Sequence, residues 1–238
     1  MAGRRFAVQP NSNVMIREDY ILAWIKRYVQ WLAEIAGFVR VHDYLAAVAR
    51  MDLLLRDLLG VGTDSVTGLA DGEILARLAV GEPSQLVQEK CLLIAAVLNQ
   101  LGLVAAAQQR PEVSRDCFLK SLHLLLGLQL RNATLPALEH APTVAELLER
   151  LQAEPLPPRT YGALMLFYEQ DAQFAQAEDA LFLLLDTVPD NHDMLDLAEA
   201  FYRRLGALSD EVLAGGGLPR AEVEQGLGEI LARRARLG

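Results

Sequence analysis

From Asp19 to Phe38 the large apolar residues Tyr20, Ile21, Trp24, Ile25, Tyr28, Val29, Trp31, Leu32 and Ile35 recur at intervals of three and four, with Lys26, Arg27, Gln30 and Glu34 between them. Such spacing gathers the apolar side chains on one face of a helix, so it predicts a strongly amphipathic helix over 19–38. After a short basic turn, His42 or Asp43 stands where a second helix needs a cap, and that helix runs to about Leu59, where Gly60 and Gly62 stop it. Residues 61–84 are rich in Gly, Asp, Thr and Ser and read as a connector with little core of its own, carrying one short helix at 72–80. Ser84 reads as the N-cap of a long helix to about Gln109. Pro111 breaks that helix and opens the next, which runs to about Leu130.

Residues 131–158 hold five prolines, among them Pro155, Pro157 and Pro158. They read as a joint around one short helix at 143–153, whose start is marked by Thr143 with Glu146 three residues on. Beyond the joint, helices are predicted at 159–170, 174–187, 193–205 and 222–236, with a helical turn at 209–213 ended by Gly215, Gly216 and Gly217. No segment alternates with period two for long enough to be a strand. The prediction is an all-α protein of antiparallel helical hairpins, with a flexible N-terminus at 1–14 and one domain at 15–236: hairpins at 15–130, the joint at 131–158 and repeats at 159–236.

A period near 34 residues is that of tetratricopeptide helix-turn-helix units. Residues 158–191 fit it, with Tyr161, Leu164, Tyr168, Phe174, Ala177 and Pro189 in the aromatic, small and terminating positions. A frame from His192 places Leu195, Tyr202 and Gly206; one from Ala95 places Leu98, Leu101, Gly102, Phe118 and Ser121; a weaker one from Tyr28 places Trp31, Tyr44, Ala47 and Leu54. On these residues the chain resembles a tetratricopeptide-like helical protein, which implies hairpins stacked as a solenoid. More closely, it resembles a bacterial family catalogued as a domain of unknown function. The likeness rests on Arg17-Glu18-Asp19-Tyr20-Ile21-Leu22, on Ala177-Glu178-Asp179-Ala180-Leu181-Phe182, on Phe201-Tyr202-Arg203-Arg204-Leu205, and on Ser209 to Leu213 followed by Gly216 to Val223. It implies a fold and carries no catalytic residues with it.

Composition narrows the reading. Of 238 residues, 52% are apolar, 6% aromatic and 22% charged. This leaves little room for a β-sandwich or for disorder. With 31 Asp and Glu against 22 Lys and Arg, the net charge of −9 disfavours nucleic acid, which needs clustered cations. Cys91 and Cys117 lie in apolar helical runs without ligand spacing and read as buried, reduced thiols of a cytoplasmic protein. Arg4 and Arg5 precede only Phe6-Ala7-Val8, too short for the apolar region of a signal peptide. The longest apolar stretch, Cys91 to Ala107, is interrupted by Asn99 and Gln100 and falls short of a membrane span.

Candidate chemistry is sparse. Asp186, Asp190, Asn191, His192, Asp193 and Asp196 could be imagined around a divalent cation, but they sit at a turn, lack the spacing of a calcium loop and read as helix-capping residues. His42 and Asp43 read the same way. His123 has no acidic residue three or four positions away to orient it, and Ser114 and Ser121 have no adjacent base. Gly215 to Gly217 lacks the Lys and Ser/Thr of a phosphate loop. Pro155 to Arg159 reads as a rigid linker in preference to a polyproline ligand. The stripe Tyr20, Trp24, Tyr28 and Trp31 reads as core packing in preference to a membrane-surface face. No catalytic residue, cofactor or metal ligand is predicted. If the hairpins stack, Asn99, Gln100, Leu103, Arg159, Leu166, Glu169 and Gln170 line the inner groove. The expected role is that of a non-enzymatic interaction protein or scaffold that binds a protein or peptide segment there. A self-assembling homodimer is the alternative, and a metal-dependent enzyme using the 186–196 cluster the remote one.

Overall fold

A computed structural model describes residues 12–131, 133, 138–189 and 191–237, with side chains described from Lys26 to Arg236. Residues 1–11 of the expected flexible N-terminus therefore lie outside the described residues. Among the described residues the protein is all-α, with twelve helices and antiparallel pairings. Two compact units divide it. The first takes the chain up to Leu124 together with 134–147; the second takes 125–133 and everything from Leu148.

In the first unit, α1 (Ser12–Arg40) and α2 (Tyr44–Leu59) form the expected hairpin. α1 starts seven residues before its predicted start, because Ser12 to Glu18 carry no helix breaker and extend the amphipathic run. Buried Tyr28, Leu32 and Ile35 face a helix burying Ala47, Met51, Leu54 and Leu55. Each large side chain so removed from water is worth about 1.5–3 kcal/mol. Glu34 and Arg50 pair at 2.7 Å, and the Tyr28 hydroxyl donates to Asp57. Of the aromatic stripe, Tyr28 is buried, and Trp31 is half-buried with the Arg27 and Arg50 guanidinium groups 5.5 and 5.2 Å from its ring; Tyr20 and Trp24 lie outside the described side chains. Asp43 caps α2 by accepting from Ala46 N at 3.1 Å, and Gly60 ends it in the left-handed conformation.

The connector has more core than its composition predicts. It forms α3 (Thr63–Val66) and α4 (Asp71–Ala79) and buries Val66, Leu69, Ile74 and Leu78. Four well-spaced apolar residues suffice, and the Gly and Ser content only shortens the helices. Ser84 is the first residue of α5 (Ser84–Ala107) and not its cap; Pro83 takes the cap position with no side-chain hydrogen bond. α5 is longer than its apolar stretch and passes a length-and-composition criterion for a membrane span, yet 83% of its apolar window is buried inside the protein. It pairs antiparallel with α6 (Pro111–Gln129): Ser114 Oγ donates to Gly102 O at 2.9 Å and Ser121 Oγ to Ala95 O at 2.7 Å. These two serines spend their hydroxyls on carbonyls of the facing helix. α7 (Val144–Leu151) opens on the predicted capping box, Thr143 N donating to Glu146 Oε2 at 2.7 Å and Glu146 N to Thr143 Oγ1 at 3.2 Å.

In the second unit, α8 (Pro158–Gln170) and α9 (Phe174–Thr187) form a tight hairpin with Tyr161, Leu164, Met165, Phe174, Ala177 and Leu181 buried. α10 (His192–Gly206) packs on α9 and, antiparallel, on α12 (Arg220–Leu237). The turn α11 (Asp210–Gly215) is capped by Ser209, and Gly216 O accepts from Ala175 N at 3.1 Å, tying this loop to the start of α9.

The α5–α6 contact depends on an absent side chain. A Cβ on Gly102 would stand 2.5 Å from Phe118 Cε1. Gly102→Ala is expected to lower stability by about 1–3 kcal/mol through overpacking, and Phe118→Leu in the same chain to recover part of that loss. Urea unfolding of both single variants and the double variant measures the coupling, and strictly additive losses would show that the two residues do not share the contact.

Candidate functional site

α9 and α12 run parallel, since Glu178 faces Gly226 while Arg233 Nη2 reaches Leu185 O at 3.4 Å. Both cross the antiparallel α10, and the space between them is a groove of about 190 Å³ lined by Glu178, Phe182, Glu222, Gln225, Gly226 and Glu229. Tyr202 of α10 packs against Gly226 of its lining. The ring is fully buried against Gly226, where any Cβ would fall inside it, and its hydroxyl donates to Glu178 Oε1 at 2.7 Å. Phe182, 38% exposed, is the apolar wall. Glu222, Gln225 and Glu229 follow one another on α12 at helical spacing, with Gln225 Nε2 donating to Glu229 Oε1 at 2.9 Å.

The groove is electrostatically uncompensated. Burial pushes the Glu178 carboxyl above its ordinary range; the Tyr202 hydroxyl offsets part of this, and Glu222, Asp179 and Glu229 add to it. Burial and the neighbouring Glu178 raise the Tyr202 phenol in turn. Some other carboxylates of the unit are paired: Glu169 takes both arms of Arg204 at 2.7 and 2.8 Å, and Glu199 lies 2.6 Å from both Arg203 and Arg234. Among the described residues, no set of three His, Cys, Asp or Glu side chains is placed to hold a metal ion.

The residues expected to line a groove fall elsewhere. Asn99 and Gln100 are 4% and 7% exposed and thus form no open surface; Leu103 is half-buried beside them on α5. Their polarity suggests a solvent-facing side, but α5 is enclosed on nearly every face from Lys90 to Ala105. On α8, Arg159, Leu166 and Gln170 are exposed, Glu169 is held by Arg204, and Gln170 Nε2 donates to Gln129 O at 3.2 Å. Of the 186–196 cluster, Asn191 caps α10 through Met194 N at 3.3 Å and Asp196 pairs with Arg234 at 2.9 Å, while Asp190 lies outside the described residues. Both cysteines are buried, and burial pushes the Cys117 thiol up to about 12.

His123, with no acidic residue three or four positions away, meets an acid from another helix. Its Nδ1 lies 2.9 Å from Asp71 Oδ2 of α4, and Lys120 Nζ lies 3.9 Å from Asp71 Oδ1 and donates to Leu69 O at 2.6 Å. The partner comes from the connector, where no local pattern announces it. These contacts fasten α4 to α6. Asp71→Asn is expected to raise amide exchange in 69–79 at least several-fold while leaving α8–α9 unchanged, as measured by hydrogen exchange with mass spectrometry; unchanged protection in 69–79 would remove the fastening role.

A carboxyl raised in the folded state contributes stability that is complete below its ordinary value and is lost as pH rises through the raised one. Glu178→Gln keeps an acceptor for Tyr202 and removes the charge. It is expected to stabilise the protein at about pH 7.5 by up to about 1 kcal/mol, the scale of a partly solvated charge, with the gain gone by about pH 4. Thermal unfolding of both proteins across that range checks it, and a gain independent of pH would contradict the charge argument.

No curated protein and no solved structure matches the chain. A family described as being of unknown function, DUF6483, matches residues 15–235. With most of its length matched, the chain belongs to the DUF6483 family of unknown function.

Proposed function

We propose that this is a cytoplasmic, tetratricopeptide-like interaction protein, not an enzyme, that binds a segment of another protein in the groove between α9 and α12. The observation that carries this reading is the groove itself: an open cleft between two parallel helices, walled by half-exposed Phe182 and deepened by Gly226, matches the way helical scaffolds take up a peptide or helix. The α8–α9 hairpin supports the tetratricopeptide comparison, since Tyr161, Leu164, Phe174 and Ala177 are buried where such a unit packs its aromatic and small residues. A homodimer is the second reading, favoured by Leu45 and Leu53, 87% and 55% exposed two turns apart on α2.

Phe182→Asp places a charge in the groove wall at a partly exposed position. Affinity capture with photo-crosslinking, using the intact chain and this variant with its helicity checked by circular dichroism, is expected to lose a partner whose crosslinks map to α9 or α12. Identical crosslinked partners would overturn the reading. Sedimentation over a concentration series addresses the second copy, and a monomer throughout removes it.

A further inference from the structure

Resting on that reading, we infer that the occupant of the α9–α12 groove is a cationic amphipathic helix of a partner protein, with Lys or Arg at positions i and i+7 and an apolar residue midway. Glu178, Glu222 and Glu229 enter no ion pair among the described residues, although the same unit carries Arg203, Arg204, Arg220, Arg233, Arg234 and Arg236. Five of these guanidinium groups are engaged at Glu199, Glu169, Asp210, Leu185 O and Asp196, and Arg236 reaches back to Ala232 O. Like charges are thus gathered around the exposed Phe182 ring and left for something outside the chain to neutralise.

The geometry sets the spacing. Glu222 and Glu229 are seven residues apart on α12, about 10 Å along its axis at about 1.5 Å per residue. Gly226 lies between them, and Phe182 faces it across the groove. A helix laid along this cleft meets the two carboxylates with cations two turns apart and places the side chain midway between them over Gly226, against Phe182. A bare cation would leave Phe182 uncovered, and no three acidic side chains here are placed to hold one. A polyanion would meet like charge. A second copy does not supply the pattern either, because no two of the chain's 22 Lys and Arg residues are seven apart.

The test uses the full chain and a fluorescein-labelled helical peptide of three Lys-Ala-Ala-Leu-Ala-Gln-Ala repeats, followed by fluorescence anisotropy. The expected result is binding that weakens about tenfold or more with Glu222→Gln/Glu229→Gln, and equally when each peptide Leu is replaced by Ser. A peptide with Glu in place of Lys is expected not to bind. Absence of binding, binding unchanged by the double substitution, or binding indifferent to the Leu residues overturns the proposal, the last because it marks adsorption to an acidic protein. Both substituted residues are solvent-exposed, and thermal unfolding confirms that the variant folds. A partner that crosslinks to α9 or α12, is lost with Phe182→Asp and is kept with Glu222→Gln/Glu229→Gln sinks the cationic class while leaving the groove reading intact.

Discussion

Tyr202, on α10, touches two other helices at once. Its ring rests on Gly226, which brings α10 and α12 to a separation that no larger residue at 226 permits, and its hydroxyl reaches Glu178 on α9. A helix satisfies its backbone hydrogen bonds internally, so helices associate only through side chains, and the tightest side-chain contact sets the spacing of its neighbours. With α9 and α12 both referred to one buried ring, they cannot also close on each other. The groove lies between these two helices, with Gly226 in its lining.

The same contact explains why Glu178 tolerates its position. A carboxylate pressed between α9 and α12, with Glu222 and Glu229 nearby, is disfavoured by burial and by like charge. One phenol hydrogen bond offsets part of that. The first unit treats its polar groups differently: Ser114 and Ser121 are spent on carbonyls of the facing helix, and Asp71 is met by His123 and Lys120. Its polar chemistry is consumed in fastening one helix to another, whereas in the second unit a polar cluster stays open to solvent on one side.

Helix positions were legible because periodicity and punctuation are local. Asp43, Thr143 with Glu146, Ser209 and the glycine run each work within one turn, and the helices they bound match closely. Burial was less legible. The connector's polar composition concealed Val66, Leu69, Ile74 and Leu78, which need only a few apolar positions in phase to join a core, and Asn99 and Gln100 read as surface although their helix is enclosed. Ser84 misled because a capping side chain and a first-turn residue look alike in sequence; Pro83 already restricts the backbone where the cap would be.

The groove was the least legible part, for a reason built into its geometry. Glu222, Gln225 and Glu229 form a readable polar stripe on α12, but a polar stripe is what any exposed helix face presents. It becomes part of a site only through Phe182 and Glu178 on α9 and Tyr202 on α10, and each of these has a sufficient local reading of its own: an apolar residue on a mostly apolar helix, an acid beside another acid, an aromatic in a repeat position. What distinguishes them is convergence across three helices, set by a glycine whose effect is to let a ring approach. Spacing within one helix carries no information about that convergence. A glycine inside a helical run lowers helix propensity by about 1 kcal/mol, and it marks a close contact at Gly102 and Gly226 but not at Gly37, Gly127 or Gly228, where a Cβ would meet nothing. Gly102 lies beneath Phe118 and Gly226 beneath Tyr202, and the second lies in the lining of the cleft.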